Sequence, residues 1–221
     1  MNIQPIITKD GSSTLFIPEL NEHYHSIHGA VQESMHIFIQ NGYSQIHASS
    51  IRIFEAGFGT GLNTYLTMLT AEQERKTVHY TSVEKYPLGE NVVKLLNYTE
   101  KADVKKAKVF QALHDAQWDI DVNISDHFTL FKMRGDLKDL KLQDSIYDLV
   151  YFDAFGPDVQ PDLWTEEIFT VLFRSMKKNA CLVTYSVKGS VKRALKTAGF
   201  ILEKLPGPPG KREITRATKK E

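Results

Sequence analysis

Ile51-Arg52-Ile53-Phe54-Glu55-Ala56-Gly57-Phe58-Gly59-Thr60-Gly61-Leu62-Asn63 decides how the 221-residue chain is read. A compact apolar run that stops at a glycine cluster reads as a buried strand. The glycines form a turn, and a helical pattern over residues 62–71 follows it. Strand, glycine turn and helix in that order build the crevice where α/β proteins hold ligands, beyond the carboxyl ends of parallel strands.

The same alternation extends outward in both directions. Upstream, residues 3–8 and 13–17 predict a hairpin around Asp10-Gly11, and a helical pattern over 29–41 stops at Asn41-Gly42. Downstream, residues 78–83 predict a strand ending in Glu84, with Pro87 in the first turn of a helix over 88–96 and a second helix over 102–116. Further strands are expected at 128–133, 147–152 and 180–185, with helices over 162–176 and 191–198. The last two strands, 199–205 and 213–217, flank the turn Pro206-Gly207-Pro208-Pro209-Gly210 with no helix between them, which predicts an antiparallel pair. The expected fold is α/β and Rossmann-like: a mostly parallel, doubly wound sheet ending in an antiparallel hairpin. Residues 1–48 are expected to form a small N-terminal annex of hairpin and helix, packed on a core of residues 49–221.

Hydrophobic residues make up 42% and charged residues 24%, an ordinary globular composition. One cysteine, Cys181, excludes a disulfide framework and a multi-thiolate metal site within the chain. No apolar run is long enough to predict a membrane span, and Met1-Asn2-Ile3-Gln4-Pro5 lacks the profile of a secretory signal. The expectation is a cytoplasmic enzyme. Lys and Arg total 27, as do Asp and Glu, and a zero sum argues against a nucleic-acid partner. The zero hides a split, however. Residues 1–173 carry 14 basic against 24 acidic residues, a net of −10, and residues 174–221 carry 13 against 3, a net of +10. Such asymmetry points to a polyanion-binding face or to solvated surface lysines.

The glycine loop separates two cofactor classes. A dinucleotide fingerprint needs glycine at the sixth position of G-x-G-x-x-G, and Leu62 stands there. The spacing is instead G-x-G-x-G, with Glu55 two residues before the first glycine, which resembles the first motif of S-adenosylmethionine-dependent methyltransferases. That cofactor carries a sulfonium and an ammonium, which favour carboxylates, and a carboxylate that backbone amides can hold. The cofactor-binding candidates are Tyr24, Glu55, Gly57, Gly59, Thr60, Gly61, Asn63, Glu84, Lys85, Asp136 and Asp153. Glu84 ends the next strand, where a carboxylate can hold both ribose hydroxyls. Asp136 follows the third strand and is placed to accept from an adenine amino group. Asp153 ends the fourth strand, at the spot that faces the transferable methyl in this fold.

Methyl transfer is an in-line displacement, so catalysis is largely alignment. An amine nucleophile needs a free lone pair, and Asp153 can orient it and take its proton. Asp153 and Phe155 are the catalytic candidates. Phe155, Pro157 and Trp164 could wall a flat base. Lys188, Lys192, Arg193, Lys211 and Arg212 are candidate phosphate contacts. His23, His25 and His28 lie close together, but no cysteine or carboxylate motif joins them, so they read as a polar rim and no metal is expected.

These residues together resemble one family. Phe54–Asn63, Val83-Glu84-Lys85-Tyr86-Pro87-Leu88, Asp153-Ala154-Phe155-Gly156-Pro157 and Pro161-Asp162-Leu163-Trp164-Thr165 look like the methyltransferase domain of the tRNA 5-methylaminomethyl-2-thiouridine biosynthesis protein. Tyr24-His25-Ser26, Gly29–Ser34, Thr184-Tyr185-Ser186 and Lys211-Arg212-Glu213 add to the likeness, which runs from about Tyr24 to Arg216. The resemblance implies a class I methyltransferase fold. It implies methyl transfer from S-adenosylmethionine to the amine of 5-aminomethyl-(2-thio)uridine at the tRNA wobble position. S-adenosylhomocysteine is then a product and tRNA a partner. In fused relatives an FAD-dependent oxidase domain supplies the amine. The chain runs to Glu221 without a second glycine fingerprint, so the expectation is a stand-alone, monomeric form, its amine supplied by a separate oxidase or made directly. Two departures bear on pocket shape. Asp153-Ala154-Phe155-Gly156-Pro157 stands where the family commonly has Asp-Gly-Phe-Ala-Pro, and the Pro208–Lys211 turn is slightly longer. Two other classes stay open at this point: a methyltransferase for a small molecule or protein, and a non-catalytic cofactor-binding scaffold.

Overall fold

The computed structural model describes residues 3–100 and 104–220, so the first residues of the helix expected over 102–116 lie outside the described residues. Strand β4 (Ser50–Ala56) sits at the centre of an eight-stranded sheet. Parallel partners flank it: β5 (Thr77–Glu84) and then β7 (Phe128–Arg134) on one side, β8 (Tyr147–Phe152) and then β9 (Met176–Thr184) on the other. The chain therefore reverses direction across the sheet between β4 and β8, the position where such sheets open a crevice. Leu149, Val150, Tyr151 and Phe152 are fully buried, as a strand covered on both faces requires.

Both edges of the sheet are antiparallel. Strand β11 (Glu213–Thr218) inserts between β9 and β10 (Ile201–Pro206) and runs against both, so the expected terminal hairpin is present with its later strand inside. At the other edge β6 (Asp121–Ser125), unread in the sequence, pairs with β7 through an irregular register between Asn123 and Ser125.

Helix α2 (Leu62–Glu74) leaves the glycine loop, and α3 (Glu90–Val93) and α4 (Val104–Asp115) follow β5. Pro87 precedes α3 and is not in its first turn, since Gly89 is the residue that caps that helix. Helix α5 (Glu166–Ser175) starts later than residue 162. Thr165 is its cap, accepting the Ile168 N–H, while Pro161–Leu163 form one separate 3₁₀ turn. Helix α6 (Gly189–Thr197) follows β9.

The annex is a three-stranded antiparallel sheet of β1 (Gln4–Ile7), β2 (Ser13–Ile17) and β3 (Glu22–His23). Helix α1 (Ala30–Ser34) follows and passes into a π-helical turn, Met35–Gln40. Asp10 ties hairpin to helix: its carboxylate accepts from Ser12 N–H at 2.9 Å and from Gln32 N–H at 2.9 Å. Leu15, Ile37 and Phe38 share one apolar cluster with Ile51, Tyr65, Tyr151 and Val183, so annex and sheet bury each other. The opposite face of the sheet holds a second cluster around Phe54, Phe152, Phe169 and Leu195. Strand alternation thus sends Ile51, Ile53 and Glu55 to the α2 side and Phe54 and Ala56 to the other. Among the described residues, no helix is long and apolar enough to cross a membrane.

Candidate functional site

A cavity of about 740 Å³ opens at the carboxyl ends of β4, β5, β7 and β8. The glycine loop forms its floor. Gly57 N–H and Phe58 N–H both donate to Val83 O, at 3.1 and 3.2 Å, which fastens the loop to β5. Gly57 has φ 94° and Gly61 has φ 71°, in the left-handed region that disfavours side chains. At Gly61 a Cβ would also stand 3.0 Å from the His114 ring. Phe58 turns away from the cavity, against His114 and Trp118 with Lys132 Nζ 5.2 Å from its ring. Only the bare backbone edge at Gly57 and Gly59 is left to line the cavity.

The loop is clamped from behind. Thr60 Oγ1 lies 2.8 Å from His25 Nε2 and accepts from Tyr98 Oη at 3.3 Å, while Thr60 O accepts from His114 Nε2 at 3.1 Å. Burial pushes His25 down to about 4. Burial, with Lys132 nearby, pushes His114 down to about 4 as well. Both rings are therefore neutral at pH 7. The histidines serve the loop, and among the described residues no group of three His, Cys, Asp or Glu side chains could hold a metal.

Three carboxylates from successive strand ends line the cavity. Glu84 Oε2 accepts the Gly59 N–H at 3.0 Å and Oε1 accepts the Tyr86 N–H at 2.8 Å. Asp136 Oδ1 accepts the Lys138 N–H at 3.0 Å, and Oδ2 accepts from Lys85 Nζ at 2.8 Å. Burial would raise the Asp136 carboxyl, but the bonds from Lys85 and Lys138 outweigh it and hold it below its ordinary range. Asp153 Oδ2 accepts from Asn63 Nδ2 at 2.8 Å. Burial, and then the neighbouring Glu33, push the Asp153 carboxyl well above its ordinary range; the Asn63 bond and Lys211 act in the opposite direction. Asp153 and Asp136 thus carry the same group tuned in opposite directions.

Glu33, Tyr185 and Glu22 also line the cavity; Glu33 and Tyr185 fall in stretches that carry the family likeness, but the sequence assigned none of the three a role in the site. Glu33 Oε2 accepts the Ser26 N–H at 2.9 Å, and Lys211 Nζ stands 3.4 Å from its Oε1. Tyr185 Oη donates to Ala154 O at 2.9 Å, and Lys211 Nζ lies 4.9 Å from its ring centre. Glu33 belongs to a short helix whose polar residues read equally well as a solvated face, so the likeness of Gly29–Ser34 singled out no one residue there.

Of the expected residues, Tyr24, Gly57, Gly59, Glu84, Lys85, Asp136, Asp153, Phe155 and Lys211 line the cavity. Tyr24 and Phe155 meet edge to face with centroids 5.0 Å apart. Burial and Glu84 push the Tyr24 hydroxyl up to about 12, so it stays protonated. Thr60, Gly61 and Asn63 stand behind the lining as supports. Glu55 is a correction: it lies fully buried on the α2 side of β4, where Thr64 and Ser82 hydroxyls donate to Oε2 at 3.1 and 2.7 Å. It faces no part of the cavity lining, because the pleat turns residue 55 under α2. Trp164 is a second correction. Its ring is packed on Phe152 and Tyr185 and its Nε1 donates to Phe155 O at 2.8 Å, so it positions Phe155 from the core and offers no wall to a ligand.

Pro157, Lys188 and Arg212 line a second, neighbouring cavity of about 640 Å³, together with Tyr185, Lys204 and Lys211. Lys192 and Arg193 on α6 line neither cavity. Part of the C-terminal positive charge is also engaged in surface pairs with the chain's own carboxylates. Lys177 binds Asp148, Lys188 binds Asp158, and Arg216 binds Glu203.

This donor set fits a ligand with a pair of hydroxyls, an aminopurine and a cationic centre. Glu84 and Asp136 offer acceptor lone pairs at adjacent strand ends, the loop offers bare backbone, and the surrounding carboxylates favour positive charge.

A family model described as S-adenosyl-L-methionine-dependent methyltransferase matches residues 97–220. The tRNA 5-methylaminomethyl-2-thiouridine biosynthesis bifunctional protein MnmC of Pseudomonas entomophila is 32% identical over 207 residues, covering 86% of this chain and 31% of that protein. The protein of the same name from Legionella pneumophila is 28% identical over 242 residues, covering 95% of this chain and 36% of its own length. The chain thus spans about a third of the length of the curated relatives it matches. The crystal structure of MNMC2 from Aquifex aeolicus superposes with a TM-score of 0.83 at 26% identity, covering 99% of this chain and 70% of that one. Spermidine synthase from Thermotoga maritima shares the fold at a TM-score of 0.56 and 13% identity.

The neutral histidines behind the loop set an acid limit. Their folded values lie below the ordinary 6.5, so their contribution is complete above that pH and is lost as pH falls toward about 4. The melting temperature is expected to drop across that window, and a His25→Asn, His114→Asn double variant is expected to drop less. Parallel curves for the two proteins would contradict the assignment.

Proposed function

The chain belongs to the S-adenosyl-L-methionine-dependent methyltransferase family. From that premise we propose that it methylates the amine of 5-aminomethyl-(2-thio)uridine at the tRNA wobble position, giving 5-methylaminomethyl-(2-thio)uridine. The names of the relatives matched over nearly the whole chain support this substrate. The observation that carries the chemistry is Asp153, a half-buried carboxylate of raised pKa that lines the cavity beside Glu33.

S-adenosylmethionine, when bound, supplies an electrophilic methyl. The remaining work falls to the chain's own residues. Glu84 would hold the ribose hydroxyls and Asp136 the adenine amino group, each carboxylate already oriented by backbone N–H donors. An alkyl amine arrives mostly as ammonium at pH 7, and an ammonium has no lone pair to attack with. The Asp153 and Glu33 carboxyls line the place where it would sit. Asp153 then takes one proton, and its raised pKa makes it a better acceptor than an ordinary aspartate. Asn63 fixes the carboxylate during that transfer. Tyr24 and Phe155 flank the entry with apolar surface against which a base can stack. Lys188, Lys211 and Arg212, on the adjoining cavity, are the phosphate contacts we assign, with Lys192 and Arg193 farther out on α6. Such a substrate places the reaction in the cytoplasm.

Two experiments test the reading. Labelled S-adenosylmethionine is incubated with the protein and tRNA from cells lacking this methylation; label in the wobble nucleoside is expected, and its absence there overturns the substrate. Asp153→Asn keeps the shape and removes the proton acceptor. It should lower kcat/KM by about 100-fold or more, the scale of general-base catalysis, while cofactor Kd stays within about threefold. Activity within a few-fold of wild type would contradict the role of Asp153.

A further inference from the structure

Lys211 lines both cavities, and its ammonium rests in a place shaped for one. Nζ lies 3.4 Å from Glu33 Oε1 and 4.9 Å from the centre of the Tyr185 ring. A carboxylate on one side and an aromatic face on the other are two surfaces that hold an organic cation. Both are fixed by contacts that do not involve the lysine. Ser26 N–H donates to Glu33 Oε2 at 2.9 Å, Tyr185 Oη donates to Ala154 O at 2.9 Å, and Trp164 packs edge-on to the Tyr185 ring. The lysine is held less firmly. Glu33 Oε1 is buried and has no hydrogen-bond partner, so the contact with Lys211 is an ion pair without a hydrogen bond. A buried acceptor left without a donor calls for a reason. Glu33 is 9% exposed, whereas the Lys211 side chain is 31% exposed and ends a flexible stem.

The sheet says which ammonium fits. Tyr185 follows β9 and Lys211 precedes β11, and both strands lie on the opposite side of β8 from β5 and β7, whose ends carry Glu84 and Asp136. Asp153 follows β8, between the two sides, where both Glu33 and Lys211 act on it. We propose that Glu33 Oε1 and the face of Tyr185 are the subsite for the substrate's primary ammonium, and that Lys211 fills it until a phosphate in the second cavity draws the lysine away. The inference rests on the amine substrate proposed above. Lysine and aminomethyl group are both primary ammoniums, so they compete for one acceptor. Lys188 and Arg212 line the second cavity, where a phosphate gives Lys211 another anion to meet. An amine without a phosphate has to displace the lysine unaided. The arrangement therefore favours an amine carried on RNA over the same amine on a free nucleoside.

The test compares 5-aminomethyluridine with 5-methyluridine, which lacks the ammonium, by calorimetry with S-adenosylhomocysteine bound. In Lys211→Gln the aminomethyl nucleoside is expected to bind about tenfold tighter than in wild type, with 5-methyluridine changed by less than about twofold. KM for tRNA is expected to move the other way, rising at least about threefold as a phosphate contact is lost. In Glu33→Gln the amide oxygen still accepts the Ser26 N–H, and the preference for the aminomethyl nucleoside is expected to vanish. Unchanged 5-aminomethyluridine affinity in Lys211→Gln, or two nucleosides that bind alike in all three proteins, overturns the proposal. The cofactor also carries an ammonium, and 5′-methylthioadenosine is its fragment without one. If Glu33→Gln weakens S-adenosylhomocysteine about tenfold and spares that fragment, the pocket belongs to the cofactor and the proposal falls. Lys211 lies at the surface, so its comparison stands should Glu33→Gln not fold. Nucleoside binding needs no turnover. Preference for 5-aminomethyluridine in a protein that labels no tRNA keeps the subsite and overturns the tRNA substrate, whereas labelled tRNA with nucleosides that bind alike does the reverse.

Discussion

Two backbone N–H groups, those of Gly57 and Phe58, converge on the carbonyl of Val83, and the site hangs from that contact. It fixes the glycine loop against the end of β5. Gly59 N–H then meets Glu84, and the start of α2 is set so that Asn63 reaches Asp153. Phe58 and Thr60 anchor the far side of the loop in an aromatic and histidine cage. A loop held at both edges presents its acceptors and donors without rearrangement, which is what alignment-limited chemistry requires.

The cavity treats its carboxylates unequally. Asp136 is tied by Lys85 and stays charged, suited to accepting hydrogen bonds from a neutral group. Asp153 has its nearest cation, Lys211, engaged with Glu33, and burial raises it. Opposite tuning of like groups a few residues from one ligand site is how one cavity can both bind and move a proton. Lys211 connects the two cavities, lining both and lying over Tyr185, so charge at the mouth is linked to the acids inside.

Much of the fold was legible because the signals were local. The apolar runs at β4, β8 and β9 and the Gly-x-Gly-x-Gly loop carry their meaning in a few consecutive residues, and Glu84, Asp136 and Asp153 stand at strand ends as their spacing implies. The misses are physical in origin. Strand β6 is polar and half-exposed at a sheet edge, so it lacks the burial that makes a strand visible. Residues 35–40 keep a helical pattern while their hydrogen bonds widen into a π turn, a change that apolar spacing does not report. Thr165 and the 3₁₀ turn before it moved the start of α5. Glu55 is assigned by motif position and Trp164 as an aromatic suited to wall a base, yet the pleat of β4 and the packing of Phe152 decide where those side chains go. Glu33 and Tyr185 reach the cavity only through tertiary folding, and charge counting could not foresee how many C-terminal lysines and arginines pair within the chain.

Asp153 is held in a state suited to take a proton from an amine. Carbon-13 NMR of the aspartate side-chain carboxyls, assigned by comparison with Asp153→Asn, follows its titration directly. The expected resonance titrates well above the ordinary aspartate value of about 3.9 and shifts further upward in Asn63→Leu, where the bond favouring the charged form is gone. A resonance titrating at the ordinary value, unmoved by the loss of Asn63, would contradict it.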